Sequence, residues 1–359
     1  MAVLFMDGFD HYIGAADAGV NDLVHKWTGW YLNGDGSANP DVFIANQSAT
    51  GFVYARGGLG QALVWNGNSR FIGKSVPAGS TFTMGKAVRW AGNPSGSSVP
   101  LLGMVDGTTV QVGVSTDGAG HLTVVRGGTT LATSTNTVSG GIWYYVEFKA
   151  TINSTTGVIE LRVNGSSTGW VPSTGSLNTQ NTGNATANVL GIGQISAVQQ
   201  VSDDVYMLDS TGSVNTTFLG PVRVAALDPA QAGNYSQWTP NGGTNFANVA
   251  DGPAPDGDNT FNQSSTAGQL DSYVYEDVPA TSGSVFAIQH NIYARQDAGA
   301  QRTIARLIRR SGTDYVGSNQ LTSTSYTYYL QVDETDPSTS SAWSIAGLNA
   351  AEFGVKLIS

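Results

Sequence analysis

The stretch WYYVEFKATI, residues 143–152, gives the clearest indication of the fold class. In an extended strand, successive side chains point to opposite faces of the sheet. One face of this stretch then mixes aromatic and charged side chains, whereas the other is almost wholly apolar. The mixed face holds Trp143, Tyr145, Glu147 and Lys149, and the apolar face holds Tyr144, Val146, Phe148 and Ala150. This alternation predicts a half-buried β-strand.

Similar strand-like runs surround this one, and clusters of Gly, Asn, Ser and Thr separate them. Residues 82–90 precede it, and residues 158–163 follow it and end at Asn164-Gly165, a dipeptide typical of tight hairpin turns. Short strands at such regular spacing are typical of sandwiches and barrels.

Composition favours the same fold class. Only 12% of the 359 residues are charged, and 46 are Gly. Glu and Lys, which usually coat exposed helix faces, occur five times each. We therefore predict an all-β chain, long enough for two domains.

The charge balance excludes several classes of partner. A formal net charge of −10 argues against a nucleic-acid-binding protein, which needs a dominant cationic surface. It also disfavours attachment to anionic lipid, and no apolar run is long enough to cross a membrane. The first basic residue is Lys26, so a secretory signal is not expected. Because the chain has no cysteine, disulfides and thiolate metal sites are excluded.

The sequence texture changes beyond residue 225. Residues 226–265 are rich in Pro, Gly, Asn and Asp and show no sustained period, so we predict an extended arm there. Strand-like runs return after it and predict a second, smaller β-sandwich over residues 266–359. The first domain is expected to span residues 1–225.

Three segments of the first domain together resemble the concanavalin-A-like, or laminin-G-like, jelly roll. They are WYYVEFK (143–149), GVIELRVNG (157–165) and SDDVYMLD (202–209), and the opening DGFD (7–10) resembles that family's first strand. The resemblance implies a lectin-like jelly-roll sandwich.

Segments of the second half resemble tailed-bacteriophage virion proteins that carry the same lectin-like domain. They are FLGPVRV (218–224), YSQWTP (235–240), TAGQLD (266–271) and AAEFG (350–354). The resemblance implies a structural protein of a virus particle, on the tail or as head decoration, assembled in the bacterial cytoplasm. Its expected partners are other virion proteins and copies of itself.

Catalytic motifs are incomplete in this chain. Laminarinase-type glycosidases use Glu-x-Asp-x-x-Glu, and Glu334-Thr-Asp336-Pro-Ser-Thr339 lacks the final acid and contains a proline. Gly165-Ser-Ser-Thr-Gly169 matches the Gly-x-Ser-x-Gly pattern but lies in an all-β region, whereas a nucleophile elbow needs a strand-to-helix turn. We therefore expect no catalytic residues, no enzyme activity and no cofactor.

The adjacent acids Asp203 and Asp204 are the candidates for a metal site, because some lectin-like domains hold calcium. The competing interpretation is that one carboxylate anchors a neighbouring loop through hydrogen bonds, and we predict no metal.

Aromatic residues offer an alternative function, that of a glycan-binding adhesion module of a phage appendage. Trp27, Trp30 and Tyr31 cluster near the N-terminus, with Trp65 later, and their faces could stack on sugar rings. The competing interpretation places them in the sandwich core. A host-surface glycan would then be a further partner.

Subunit contacts are expected mainly from the second half. The apolar anchors Tyr235, Trp238 and Phe246 lie in the predicted arm. Arg302, Arg306 and Arg310 share one face of a predicted strand, and Arg is enriched at protein interfaces. A solvated outer face is the alternative for these arginines.

Overall fold

The computed structural model divides the chain into two units, Met1–Val224 and Ala225–Ser359. The division falls one residue before the sequence-based boundary. The described residues are 2–12, 23, 25–32, 42–45, 54–58, 60–66, 70–96, 99–195, 197–252, 255–297 and 299–359. The all-β prediction is confirmed: within these ranges the regular structure is almost entirely strand. Helical elements within these ranges include a 3-10 turn (Arg56–Gly58) and α1 (Ile345–Asn349). No helix in these ranges is long and apolar enough to span a membrane.

The first unit is a jelly-roll sandwich of two antiparallel sheets. Sheet A contains β1 (Val3–Asp7), β3 (Val42–Ala45), β4 (Ala62–Trp65), β6 (Thr81–Trp90), β11 (Trp143–Thr151), β12 (Gly157–Val163), β13 (Ser166–Leu177) and β15 (Gln200–Asp209). Its strand order is β13-β12-β11-β6-β15-β4-β3, and β1 pairs with β15.

Sheet B forms the second layer of this unit. It contains β2 (Gly29–Leu32), β5 (Phe71–Gly79), β7 (Leu102–Asp106), β8 (Thr109–Thr116), β9 (His121–Arg126), β10 (Thr129–Thr137) and β14 (Ala187–Gly193). The strand order is β10-β9-β8-β7-β14-β5-β2. The period of two places Val146 and Phe148 in the core, where both are fully buried, and turns Glu147 and Lys149 to the outer face of sheet A.

The second unit is a smaller sandwich. Its six-stranded sheet contains β16 (Pro229–Ser236), β19 (Leu270–Tyr275), β21 (Thr303–Arg310), β22 (Thr313–Val316), β23 (Gln320–Leu321) and β27 (Glu352–Leu357). The order is β16-β19-β27-β21-β22, with β23 also paired to β21. A ribbon of β20 (Ile288–Ala294) and β24 (Thr327–Asp333) packs against it: Ile292 and Tyr329 contact Ile304 and Leu357. The remaining short pairs are β17 (Thr239–Pro240) with β18 (Asn262–Gln263), and β25 (Thr335–Asp336) with β26 (Ser341–Ala342).

Residues 226–265 were predicted to form an extended arm, but in the structure parts of this segment form paired strands. β16 pairs with β19 as an edge strand of the second unit's sheet, and β17 pairs with β18. Proline is tolerated at the start of an edge strand, so Pro229 does not prevent this pairing. Nearby, where the sequence has no apolar period, hydrogen bonds from side-chain amides hold the chain. Asn245 Nδ2 donates to the Trp238 carbonyl at 2.8 Å, and Asn248 Nδ2 donates to the Phe261 carbonyl at 2.9 Å.

Candidate functional site

The outer face of sheet A carries a row of polar side chains across three neighbouring strands. Lys149 lies opposite Thr83 on one side and Glu160 on the other, and Glu147 lies opposite Gly85 and Arg162. Paired residues in a ladder project to the same face, so these side chains form one surface.

A cavity of about 370 Å³ opens on this face at the end of β11 and β12. It is lined by Lys149, Glu160, Val158 and the hydroxyl side chains of Thr81, Thr151, Ser173 and Ser210. Its volume lies at the low end of the usual range for ligand pockets, about 300–1,000 Å³. A larger cavity of about 440 Å³ in the first unit has no charged residue in its lining. The first cavity therefore offers charged groups as well as hydroxyl groups for selecting a ligand.

The two charged side chains at this cavity differ in whether a neighbouring group pairs with them. Glu160 Oε1 accepts from Arg162 Nε at 2.7 Å, and the Arg162 guanidinium lies 4.1 Å from the centre of the Phe218 ring. No hydrogen bond or ion pair within the described ranges holds the Lys149 ammonium. Lys149 is therefore the cation of this cavity that is available to an added anion.

Beside the cavity, residues 218–224 lie over a buried acid; we call them the covering segment. Glu147 Oε1 accepts from the Tyr206 hydroxyl at 2.5 Å and from the Gly220 backbone N–H at 2.8 Å. Burial raises the pKa of the Glu147 carboxyl, although the hydrogen bonds from Tyr206 and Gly220 oppose this rise. Its Oε2 atom is buried and has no hydrogen-bond partner in the structure.

The close approach of Tyr145 and Tyr206 leaves no room for a side chain at Gly85. The Tyr145 and Tyr206 rings stack with centroids 6.3 Å apart, and a Cβ atom at Gly85 would overlap the Tyr206 ring. A carboxyl group with a raised pKa next to a phenol can hold or transfer a proton. Glu147 is fully buried, so this chemistry is not open to solvent in the present arrangement.

Asp203 and Asp204 anchor neighbouring segments through hydrogen bonds, which was the alternative to a metal site at these residues. Asp203 Oδ2 accepts from the Arg56 backbone N–H at 3.0 Å, and Asp204 Oδ2 accepts from Arg56 Nη1 at 2.8 Å. Asp204 Oδ1 accepts from the Val224 N–H at 2.8 Å, which attaches the covering segment to β15. Burial, followed by the neighbouring Asp204, raises the pKa of Asp203 well above its usual value. No group of three potential metal ligands occurs among the residues described.

Two of the four aromatic residues proposed for glycan stacking are core residues, which corrects that expectation for them. Trp27 is 1% exposed and donates to Asp7, and Trp65 is fully buried and donates to Ser202 Oγ at 3.1 Å. A buried indole presents no face to a sugar. Trp30 and Tyr31 lie in β2, but their side chains are outside the described part of the structure.

The arginines proposed as an interface make contacts within the second unit, and no observation tests a role for them between subunits. Arg306 is buried against Asp333, and Arg310 Nε lies 3.2 Å from Asp336 Oδ2. The backbone of Arg302 bonds Gln296 and Thr322. Arg306 and Arg310 lie on one face of β21, and other parts of the second unit cover this face in part.

The proposed aromatic anchors are partly buried and make internal contacts. The Tyr235 hydroxyl donates to Asp314 Oδ2 at 2.7 Å, and Trp238 packs against the cluster of Ile304, Tyr329 and Leu357. Phe246 is partly buried as well. These three residues contribute to the second unit itself, and no observation tests a role for them between subunits.

Comparison with known proteins gives structural neighbours only. No family model and no curated protein matches the chain. An alginate lyase bound to alginate tetrasaccharide is 14% identical over 56% of this chain and 95% of its own, with a TM-score of 0.39. An endo-β-1,4-glucuronan lyase from Trichoderma reesei is 12% identical over 57% and 95%, with a TM-score of 0.36. A Trypanosoma rangeli sialidase mutant is 16% identical over 46% and 27%, with a TM-score of 0.32.

These neighbours correct the expectation that the chain is not an enzyme. They are two lyases and a sialidase. They do not transfer an activity or a substrate to this chain.

Proposed function

We propose that the first unit binds an anionic saccharide in the cavity beside Lys149, as part of a tailed-bacteriophage particle. The observation that carries this proposal is an uncompensated ammonium group surrounded by four hydroxyl side chains. Hydroxyl groups both donate and accept hydrogen bonds, which matches the ring hydroxyls of a sugar. The ammonium selects a carboxylate or sulfate on that sugar through a charge-assisted hydrogen bond.

The saccharide is favoured over other small ligands by the chemistry of the lining. Val158 supplies an apolar contact, while the other lining side chains are polar. Glu160 is already paired with Arg162, so it does not neutralise Lys149 but remains an acceptor for sugar hydroxyls.

Lys149→Gln tests the site. We expect binding of a uronate oligosaccharide to weaken at least about tenfold, the effect of losing one charge-assisted hydrogen bond, with little change for a neutral oligosaccharide. Isothermal titration calorimetry measures both affinities. Lys356→Gln, in β27 of the second unit, is the matched control and should bind like wild type. Equal affinity of Lys149→Gln and wild type for the uronate, or no binding of either ligand to wild type, would contradict the proposal.

A second candidate role, assembly between particle subunits, is favoured by the edge of the second unit's sheet. Val316 in β22 and Leu321 in β23 lie on this edge and are 41% and 68% exposed. Exposed apolar side chains on an unpaired edge favour contact with another protein chain.

We expect Leu321→Lys to lower incorporation of the protein into particles while leaving the isolated chain folded. Particles from complemented infections, quantified by mass spectrometry and viewed after gold labelling of this chain, measure incorporation and location. Gln320→Lys, on the same strand, is the control. The virion assignment is wrong if wild-type protein never co-purifies with particles.

A further inference from the structure

A buried lysine and a buried aspartate face each other at the start of the first unit. Lys26 Nζ lies 3.5 Å from Asp7 Oδ1, and the two side chains are 1% and 0% exposed. Asp7 ends β1, where it pairs with Val205 of β15. The binding cavity described above does not use either residue.

The surroundings of this pair exclude water. The Phe5 ring meets the Trp27 ring edge-on with centroids 4.8 Å apart, and Phe9 stacks on Trp27 at 6.3 Å. Lys26 Nζ lies 5.5 Å from the centre of the Phe5 ring. In such a low-dielectric site, neutral amine and carboxyl forms compete with the ion pair.

One oxygen of Asp7 is held by two donors. The Tyr12 hydroxyl donates to Oδ2 at 2.6 Å, and Trp27 Nε1 donates to the same atom at 2.8 Å. Two fixed donors on one carboxyl oxygen stabilise negative charge that develops there, as in an oxyanion hole. Oδ1, the atom nearer Lys26, accepts a single hydrogen bond in this set, from the Phe9 backbone N–H at 2.9 Å.

A histidine completes the arrangement. His11 Nε2 lies 3.0 Å from Lys26 Nζ. Burial lowers the pKa of His11 to about 3, so its imidazole is neutral and its Nε2 can accept a hydrogen bond from the Lys26 amine. Burial also lowers the pKa of Lys26, although Asp7 opposes this. Burial raises the pKa of Asp7, but Lys26, His11 and the hydrogen bonds from Tyr12 and the Phe9 N–H together lower it, so the ion pair is the resting form. Transfer of the proton from Lys26 to Asp7 within this pair gives the neutral amine needed for nucleophilic attack.

We infer that Lys26 and Asp7 condense to form an intramolecular isopeptide bond. The Lys26 ammonium first passes a proton to Asp7 Oδ1, 3.5 Å away, which leaves a neutral amine and a neutral carboxyl. Nζ, held by its hydrogen bond to His11 Nε2, then adds to Cγ, while Tyr12 and Trp27 stabilise the charge on Oδ2. Nζ gives up a further proton to the Oδ1 hydroxyl. The Cγ–Oδ1 bond breaks, water leaves, and an amide joins Cγ to Nζ. No redox change and no co-reactant are needed.

The bond would fix the first strand to the chain that follows it. The chain has no cysteine, so a disulfide cannot supply such a link. A covalent cross-link removes conformations from the unfolded chain and stabilises the fold in that way.

Trypsin digestion tests the bond without any substitution. Lys26 is the first trypsin site and Arg56 is the second. We expect an intact mass one water below that of the sequence, and a tryptic peptide of residues 1–56 carrying the same loss, because an acylated Lys26 is not cleaved. An intact mass without the loss, with free peptide 1–26, would overturn the inference.

Succinimide formation at Asp7-Gly8 also loses one water, and the digest separates the two reactions. A succinimide leaves Lys26 free, so the loss would appear in peptide 1–26 and contradict the isopeptide. Lys26→Arg should restore the full mass and cleavage after residue 26. Asp7→Asn should form the same amide with loss of ammonia. If either variant fails to fold, the wild-type digest still decides.

Discussion

Replacing Arg306 by methionine should lower the free energy of unfolding of the second unit by about 3–5 kcal/mol. Arg306 lies on β21, and its side chain is 7% exposed. Its guanidinium pairs with Asp333 and also donates through Nη1 to the Tyr315 carbonyl at 2.9 Å. Removing the cation leaves the Asp333 carboxylate buried without a compensating charge.

The neighbouring His290 does not readily replace that cation. His290 Nε2 lies 3.8 Å from Asp333 Oδ2, but burial and then the nearby Arg306 lower the pKa of His290 to about 3. Burial also raises the pKa of Asp333, and Arg306 opposes that rise. Without Arg306 this pKa should rise further, so the variant should lose more stability at pH 7 than at pH 4, where a protonated Asp333 carries no charge.

The double variant Arg306→Met with Asp333→Leu separates charge burial from lost packing. An apolar pair of similar volume is often neutral or stabilising relative to a buried ion pair, so we expect most of the loss to be recovered. Arg309→Met, whose partner Asp314 is partly exposed, is the control and should cost much less than Arg306→Met.

Hydrogen exchange of the full chain in increasing urea, read on peptides from residues 303–333, measures the second unit separately. If Arg306→Met lowers the free energy of unfolding no more than Arg309→Met does, the prediction is wrong. It is also wrong if the double variant stays as unstable as the single one.

The alternation in residues 143–152 was sufficient to predict which side chains of β11 lie on the face opposite the core, but not that Tyr145 and Glu147 on that face are buried. It placed Glu147 and Lys149 on one face because a strand has a fixed period of two. The same rule failed to predict burial at Arg306, since alternation gives a face of the strand but not what covers it. The ribbon of β20 and β24, distant in sequence, supplies Asp333 and His290 on that side.

The candidate cavity was missed from the sequence for a related reason. Its hydroxyl residues come from β6, β11, β13 and the end of β15, and serine and threonine are common throughout the chain. Only the pairing of strands brings them together around Lys149. The aromatic cluster was overvalued because a tryptophan that stacks on sugar and one that fills a core look alike in sequence. Trp65, flanked by the apolar run of β4, fills the core.

Replacing Lys86 by methionine should stabilise the first unit, although the wild-type side chain makes two hydrogen bonds. Lys86 points from β6 into the core and is fully buried. Its ammonium donates to the Gly193 carbonyl of sheet B at 3.2 Å and to Ser202 Oγ at 3.1 Å, and no carboxylate pairs with it in the structure. Burial therefore holds the pKa of Lys86 well below its usual value.

The acceptors of these two bonds keep other donors after the substitution. Gln200 Nε2 donates to the Gly193 carbonyl at 2.8 Å, and Trp65 Nε1 donates to Ser202 Oγ. Methionine is unbranched and of similar length, so it fills the volume without leaving a buried group unsatisfied. We expect a gain of about 1–3 kcal/mol at pH 7, the usual cost of a poorly compensated buried polar group.

The pH dependence gives this prediction its sharpest test. Because the pKa of Lys86 is lower in the folded chain than in the unfolded chain, the unfolded chain binds more protons between the two values. Wild-type stability should therefore rise with pH across that interval, by up to about 1.4 kcal/mol per pH unit, and this contribution is lost as the pH falls. Lys86→Met should lack the rise, so the stability difference between the two proteins should shrink from pH 7 to pH 9.5. Urea unfolding of both proteins, with Lys356→Met as the control, measures it; a constant difference, or a less stable variant at pH 7, would show that Lys86 is well accommodated in the core.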